Sequence, residues 1–496
     1  MSTITIPPSI GGINTRDAYD KMPKTDAVWL RDMVPEQTFL ESAPPVITHY
    51  NFGALSRCGS LIPFEIGGVT KLIAVIYDAG SGFWDIKDIT DAGAVSTLKN
   101  NWDMVQSGVA LWTMFDEKLI MCSGVDVPQV YDGTSCASGT YTGISDASTL
   151  RGVVTYKGRA IYWETQSSSF WYAAAGSYQG NLTAFPIDLT TSKGGYIVQL
   201  ATMTRDGGDG ANDLFVIFLS TGEVLVYSGD DPGDAAAFGL VGKFEMSVPI
   251  GPRSARKVGG TLLCCTMDGI ADLNRVMAGD AEPFISTKVR GLASFKTLPS
   301  PDYYSDLVCI VDFAETGSLC LLDIGRADQQ FLNLGNSGAR GLLSLKRSTG
   351  AWWAYAGGGT QDFSTVLISA SCTLRGVTYF ADYDGGIGRV WKIAPISNGS
   401  ETFSQKWTPT GKGGFAFSID SGVGNGTLTS TILKDFDVNG ALSNTAFVQP
   451  FGGMFGQVTM VRRHISTTTD FWPDAEYPNR YRWYRTDLMI KGGGKI

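Results

Sequence analysis

Ser220-Thr221-Gly222-Glu223-Val224-Leu225-Val226-Tyr227-Ser228-Gly229 is a tight glycine turn feeding an apolar strand that carries an aromatic ring, and the chain repeats it. A second copy reads Ser348-Thr349-Gly350-Ala351-Trp352-Trp353-Ala354-Tyr355-Ala356-Gly357, and a third Glu315-Thr316-Gly317-Ser318-Leu319-Cys320-Leu321-Leu322-Asp323. Looser members are Phe83-Trp84-Asp85-Ile86, Gln129-Val130-Tyr131-Asp132-Gly133, Phe170-Trp171-Tyr172, Gly269-Ile270-Ala271-Asp272-Leu273 and Gly386-Ile387-Gly388-Arg389-Val390-Trp391. A small sheet of this kind cannot bury its faces alone, so such units stack in a ring. With Trp84, Tyr131, Trp171, Tyr227, Leu273, Leu321, Trp353 and Trp391 as markers, the gaps run from 32 to 56 residues. Propeller blades take roughly 40–50 residues, and the uneven gaps allow two hairpins to share a blade. The reading is an all-β fold, a β-propeller of six to eight blades. The plainer alternative is a generic all-β protein rich in Gly hairpins.

Composition agrees. The chain has 496 residues, 61 of them Gly and 11% aromatic, which suits dense turns and large rings between sheets. Stretches of 3.6-residue period are scarce, and the clearest candidate helix is the short run 26–33. The net charge of −9 argues against a protein that wraps nucleic acid on its outer surface. It is compatible with a pore through which DNA slides without sticking, and equally with ordinary solubility. Eight Cys occur without a Cys-x-x-Cys pair, which fits a reduced compartment. Adjacent Cys264 and Cys265 should point to opposite faces of one strand, and Cys320 should be a small core residue. The first 13 residues lack signal-peptide character, and apolar runs such as 214–219 are too short to span a bilayer, so no membrane insertion is expected.

The chain divides into an N-terminal arm, 1–50, a propeller, 51–394, and a C-terminal β region, 395–496, which is either a β-sandwich insertion or an elaborated last blade. Runs such as Leu72-Ile73-Ala74-Val75-Ile76-Tyr77 and Leu214-Phe215-Val216-Ile217-Phe218-Leu219 are apolar on both faces, as strands of stacked sheets should be. The run 481–490 is expected to return and close the ring.

The arm carries a resemblance. Gly11-Gly12-Ile13-Asn14-Thr15-Arg16-Asp17, followed by Met22-Pro23, Asp26-Ala27-Val28, Pro35 and Leu40-Glu41, resembles the opening of bacteriophage virion proteins of the tail nozzle or hub family, tail tubular protein B-like and packaged-DNA stabilisation protein-like. The match covers about the first 45 residues; beyond it lie Thr-Gly hairpins and a C-terminal Thr486-Asp487-Leu488-Met489-Ile490 strand. The chain departs from the family at Val34, where an aromatic residue would stand, and at Ser42-Ala43-Pro44-Pro45, where the family has Arg-Pro-Gly. The resemblance implies a non-enzymatic structural subunit of a short-tailed phage tail, assembled in the host cytoplasm. It would form a homo-oligomeric ring, a hexamer, below the portal and adaptor proteins. That ring would extend the DNA channel, retain and deliver packaged DNA without sequence-specific binding, and meet tail fibres or a needle. Interface candidates in the arm are Ile13, Asn14, Arg16, Asp17, Trp29 and Phe39. Deleting residues 1–40 is expected to leave a folded propeller that no longer assembles.

Catalytic chemistry finds little footing. The two His, His49 and His464, are far apart in sequence, without a triad pattern. No zinc-ligand spacing occurs, and the sialidase-like boxes of glycan-cleaving propellers are missing from the sequence. A calcium loop would place ligands at Asp209 and Asp213, but Arg205 and Gly207 fill its early ligand positions, so a polar turn is preferred. Asp382-Tyr383-Asp384-Gly385-Gly386 reads as a hairpin turn, and Gly422-Val423-Gly424-Asn425-Gly426-Thr427 as a plain turn rather than a phosphate loop. No cofactor is expected. Two basic clusters remain: Arg253, Arg256 and Lys257, and the C-terminal Arg462, Arg463, Arg480, Arg482 and Arg485 among Trp472, Tyr481, Trp483 and Tyr484. Arg462, Arg463, Arg482, Trp483 and Arg485 are read first as interface anchors, then as a solvated face, then as a DNA grip. The alternative function is a glycan-binding or glycan-cleaving propeller of a phage tail, with Trp352, Trp353 and Trp391 stacking on sugars.

Overall fold

The computed structural model describes residues 2–6, 9–18, 21–206 apart from 28, 32 and 45, 211–293, 305–322, 342–355, 368–382 and 387–393, and the backbone path of 403–409, 415–423, 426–434, 465–473 and 481–490. Along 57–393, apart from a short parallel pair of Tyr141–Thr142 with Gly180–Asn181, the described residues form successive antiparallel sheets, all but the last a hairpin meander. The first blade runs Arg57–Ile66, Val69–Asp78, Phe83–Asp88 and Ser96–Trp102; the second Leu111–Phe115, Lys118–Cys122, Gln129–Tyr131 and Cys136–Ser138. The third runs Leu150–Tyr156, Arg159–Glu164, Ser169–Tyr172 and Thr183–Pro186; the fourth Ile197–Asp206, Ala211–Leu219, Glu223–Gly229 and Phe238–Glu245. A three-stranded sheet follows, Ala255–Val258, Thr261–Thr266 and Gly269–Asp272. The sixth position holds Cys309–Phe313, Ser318–Leu322, Leu342–Lys346 and Trp352–Tyr355; the last holds Ile368–Leu374, Val377–Asp382 and Ile387–Ile393 with Val46–Ala54. Six four-stranded blades and the one three-stranded sheet therefore complete a propeller. The first strand of each packs against the first strand of the next, and the last sheet returns to the first.

Packing follows the two-sided apolar pattern. In Ala211–Leu219, Phe215, Ile217 and Leu219 enter the core shared with the earlier blades, while Leu214, Val216 and Phe218 enter the layer against the three-stranded sheet. Leu72, Ala74 and Ile76 likewise face the last blade, and Ile73 and Val75 the second. Cys264 and Cys265 fall into different core layers, on opposite faces of one strand. All eight cysteines are free, and Cys320 is buried with its Sγ 3.0 Å from Ser344 Oγ. Leu321 and Trp353 do share a blade, which accounts for the shortest gap between markers.

Three expectations are corrected. Residues 26–33 are not a helix: Asp26–Ala27, Trp29–Arg31 and Met33–Pro35 are strands. Eight residues are too few for a helix to hold itself, and here the backbone finds partners at Gly12–Ile13 and at 431–433 instead. The ring is not closed by 481–490. Val46–Ala54 closes it, pairing along Ile387–Ile393, while Tyr481–Ile490 pairs with Ser2–Ile6, Leu40–Ser42 and Ile465–Pro473. The three glycine-turn copies also occupy different turns of their blades: first-to-second strand at 317, second-to-third at 222 and third-to-fourth at 350. The motif is thus hairpin chemistry rather than a blade signature. Among the described residues no helix is long and apolar enough to cross a membrane.

His49 lies on the closing strand, and its Nε2 is 2.7 Å from Ile89 O of the first blade. Burial depresses its pKa below the ordinary 6.5, with nearby Lys392 acting in the same direction. The fold therefore holds fewer protons here than the unfolded chain. This stability is complete above the ordinary value and is lost as pH falls through it toward the depressed one. Tm is expected to fall between about pH 7 and pH 5, and His49→Gln is expected to flatten that slope; an unchanged slope in a scanning-calorimetry pH series would refute the role.

Candidate functional site

Two constructions stand out: the knot made by the N-terminal motif, and the hub where the inner strands begin. In the knot, Asn14 is fully buried and donates from Nδ2 to Asp17 Oδ2 and to Asp26 Oδ2, both at 2.8 Å. Its Oδ1 accepts the backbone N–H groups of Arg16 and Asp17, each at 3.1 Å. Lys288 Nζ reaches Asp26 Oδ2 at 3.1 Å, and Lys288 O accepts the N–H of Thr15 at 2.9 Å. The two glycines are required by close approach. A Cβ on Gly11 would lie 1.8 Å from Asp26 Oδ1, and one on Gly12, at φ +74°, 2.4 Å from Trp352 O. The motif Gly-Gly-x-Asn-Thr-Arg-Asp followed by Asp-Ala is therefore one interlocked unit. What it presents outward is Arg16, 56% exposed, with Nε 2.8 Å from Asp17 Oδ1. Their hydrogen bond holds the Asp17 carboxyl below the usual range, with help from Asn14, and raises Arg16.

This sorts the interface candidates. Ile13 and Asn14 are fully buried within the chain itself and hold the arm down rather than meeting a neighbour. Arg16 and Asp17 are at the surface, and Phe39 is half-buried. The backbone of Trp29 pairs with Leu433, and the backbones of Arg482 and Trp483 pair with Glu41 and Leu40. Arg485 lies on the same strand as Arg482, and the side chains of Trp29, Arg482, Trp483 and Arg485 lie outside the described residues. Arg462, Arg463, His464 and Asp209 also lie outside them, as do 383–386. Asp213 accepts from Thr204 Oγ1 at 2.8 Å and pairs with Lys157 at 3.3 Å. Among the described residues no group of three or more His, Cys, Asp and Glu could hold a metal. Val423 pairs with Gly426, so that glycine run is the tip of a hairpin.

No motif in the sequence marks the hub. Arg151, nearly buried on the third blade, donates from Nη1 to Val109 O at 3.0 Å and from Nη2 to Asp306 Oδ2 at 3.1 Å. Ser107 Oγ donates to the same carboxylate oxygen at 2.7 Å. Arg253 donates to the carbonyls of Asp306, Leu307 and Ser369 at 2.9, 3.0 and 2.9 Å. Asp306 leads into the sixth position, across the ring from the third blade, so the Arg151–Asp306 pair spans the axis. Arg253 of the hub also lines a central cavity of about 460 Å3 bordered by the first strand of every blade. The basic cluster 253–257 is divided: Arg253 joins the hub, Arg256 pairs with Asp312 at a half-exposed site, and the exposed Lys257 donates from Nζ to Thr204 Oγ1 at 2.6 Å. The one sequence signal was a charge inside an apolar strand, Leu150-Arg151-Gly152-Val153-Val154.

Trp352, Trp353 and Trp391 are buried at 3%, 0% and 1% exposure. They are core, and the sugar-stacking role expected of them falls.

No known family profile matches the sequence, and no curated protein matches it. Solved structures with a similar arrangement include YCF48 from Cyanidioschyzon merolae, at 11% identity over 73% of this chain and 98% of that one, with a TM-score of 0.40. The β-propeller domain of Cps50 (Swd1) from Myceliophteria thermophila matches at 9% identity over 71% of this chain and 100% of that one, with a TM-score of 0.39. The computationally designed Ika8 protein matches at 10% identity over 71% and 100%, with a TM-score of 0.36. Likeness at this level brings no correspondence of residues.

Proposed function

We propose that the chain is a structural, non-enzymatic subunit of a short-tailed phage tail, which assembles with copies of itself into a nozzle or hub ring. The observation that carries the reading is the knot. The residues that resemble the nozzle family are the ones whose chemistry is used: two glycines at close approach, a buried Asn, the Asp26 acceptor, and an exposed Arg16–Asp17 pair. In this reading the arm is a rigid platform rather than a loose tether, and Arg16 and Asp17 are its contact with the portal, the adaptor or a neighbouring subunit. The DNA lumen is the space enclosed by the subunits, since the propeller's own channel is crossed by Arg151 and Asp306.

Arg16→Glu tests it. The variant should fold with an unchanged Tm, because an ion pair held in water at the surface contributes little to stability, yet fail to join ring or tail particles in a gradient-sedimentation assay. Wild-type incorporation by a folded Arg16→Glu protein would refute the contact. The glycan reading keeps no specific support among the described residues.

A further inference from the structure

A cation withdrawn from water is costly unless a carboxylate faces it, so charges lining a cavity are ordinarily balanced. Those of the central cavity of about 460 Å3 are not. Its lining carries Arg253, Arg256 and Lys257 against one carboxylate, Asp312. Arg256 takes that carboxylate, and Arg347 lies 3.8 Å from its other oxygen. Two acids beside the lining are committed as well. Asp306 is held by Arg151 and Ser107, and Asp213 by Lys157 and Thr204.

Arg253 and Lys257 are therefore left without an acid of their own. Arg253 uses Nε and Nη2 on the three hub carbonyls, and among the described residues its Nη1 meets no acceptor. Lys257 is exposed, and among the same residues its Nζ reaches only the Thr204 hydroxyl. Thr202, half-buried in the cavity wall, makes no side-chain hydrogen bond among the described residues. Apolar Leu61, Ala110, Leu200 and Ile310 line the same space, and walls of that kind strengthen a field that water would damp. The chain as a whole carries −9, so this positive cavity runs against its net charge. Its volume falls in the usual range for small-molecule sites, about 300–1,000 Å3.

We propose that the central cavity binds a small polyanion, with one carboxylate or phosphate group on the free Nη1 of Arg253 and a second on Lys257. The proposal stands apart from the tail reading, since a site within one propeller needs no neighbouring subunit. Its test titrates the full-length protein by calorimetry with citrate, with pyrophosphate and with uncharged sorbitol. Citrate or pyrophosphate should bind with a Kd below about 1 mM, and sorbitol should not. The tighter of the two anions tells carboxylate from phosphate as the preferred head group. Added salt should weaken the binding. Lys257→Glu, an exposed change that leaves the hub intact, should weaken it at least about tenfold at unchanged Tm. Arg253→Lys, which keeps the charge and loses the fork, should weaken it similarly. Lys257→Glu keeps the test decisive if Arg253→Lys does not fold. No saturable binding of either anion, binding of sorbitol as tight as theirs, or undiminished binding by Lys257→Glu overturns the proposal.

Discussion

A chain lacking residues 1–40 is expected to be insoluble, or to melt far below the full-length protein. The Pro- and Gly-rich sequence of residues 1–50 suggests a separable arm, and the packing contradicts this. Ile13, Leu30, Met33, Val34 and Leu40 are buried in the same core layer as Trp352, Trp353 and Tyr355. Each such side chain contributes about 1.5–3 kcal/mol on burial, and together they rival the roughly 5–15 kcal/mol that stabilises a whole domain. The deletion also removes Asn14 and Asp26, which leaves Lys288 without its acceptor beside an uncovered Trp352. Circular dichroism melts of the two chains decide the matter, and a truncated chain that melts within a few degrees of the parent would show the arm to be a tether after all. Assembly defects in such a deletion report on folding, which is why a point change at Arg16 is the informative variant.

Arg151→Met is expected to cost about 3–5 kcal/mol, the usual effect of breaking a buried pair from one side. It strips Asp306 Oδ2 of its cation and Val109 O of a donor where water has little access. Arg151→Met combined with Asp306→Asn should be less destabilised than the two single changes added together, because no charge is then left uncompensated. Urea denaturation of the four proteins gives the coupling directly. Strict additivity would mean that the bond across the axis contributes nothing to closing the ring.

The all-β class, the stacked two-sided strands and the division of Cys264 from Cys265 were legible because each depends on local pattern: period two, apolar runs and glycine turns. What failed depends on contacts distant in sequence. The strands within 26–35 owe their form to Gly12–Ile13 and 426–434, partners that periodicity does not reveal. Ring closure by Val46–Ala54 rather than 481–490 is a choice between two edge-capable segments, made by register against Ile387–Ile393. The hub joins Ser107, Arg151, Arg253 and Asp306 from four places in the chain with no shared motif. At the candidate site the motif residues were visible, but burial divides them. Ile13 and Asn14 look alike in sequence to Arg16 and Asp17 as contact residues, and only the fold turns the first two inward.

The central claim, a ring-forming tail subunit, is tested most directly by native mass measurement of the full-length protein, followed by negative-stain imaging, alone and with a portal–adaptor complex as template. The account predicts a closed ring of identical subunits with a central hole, formed alone or on the template. A chain that stays monomeric at every concentration, and also in the presence of that template, would contradict it.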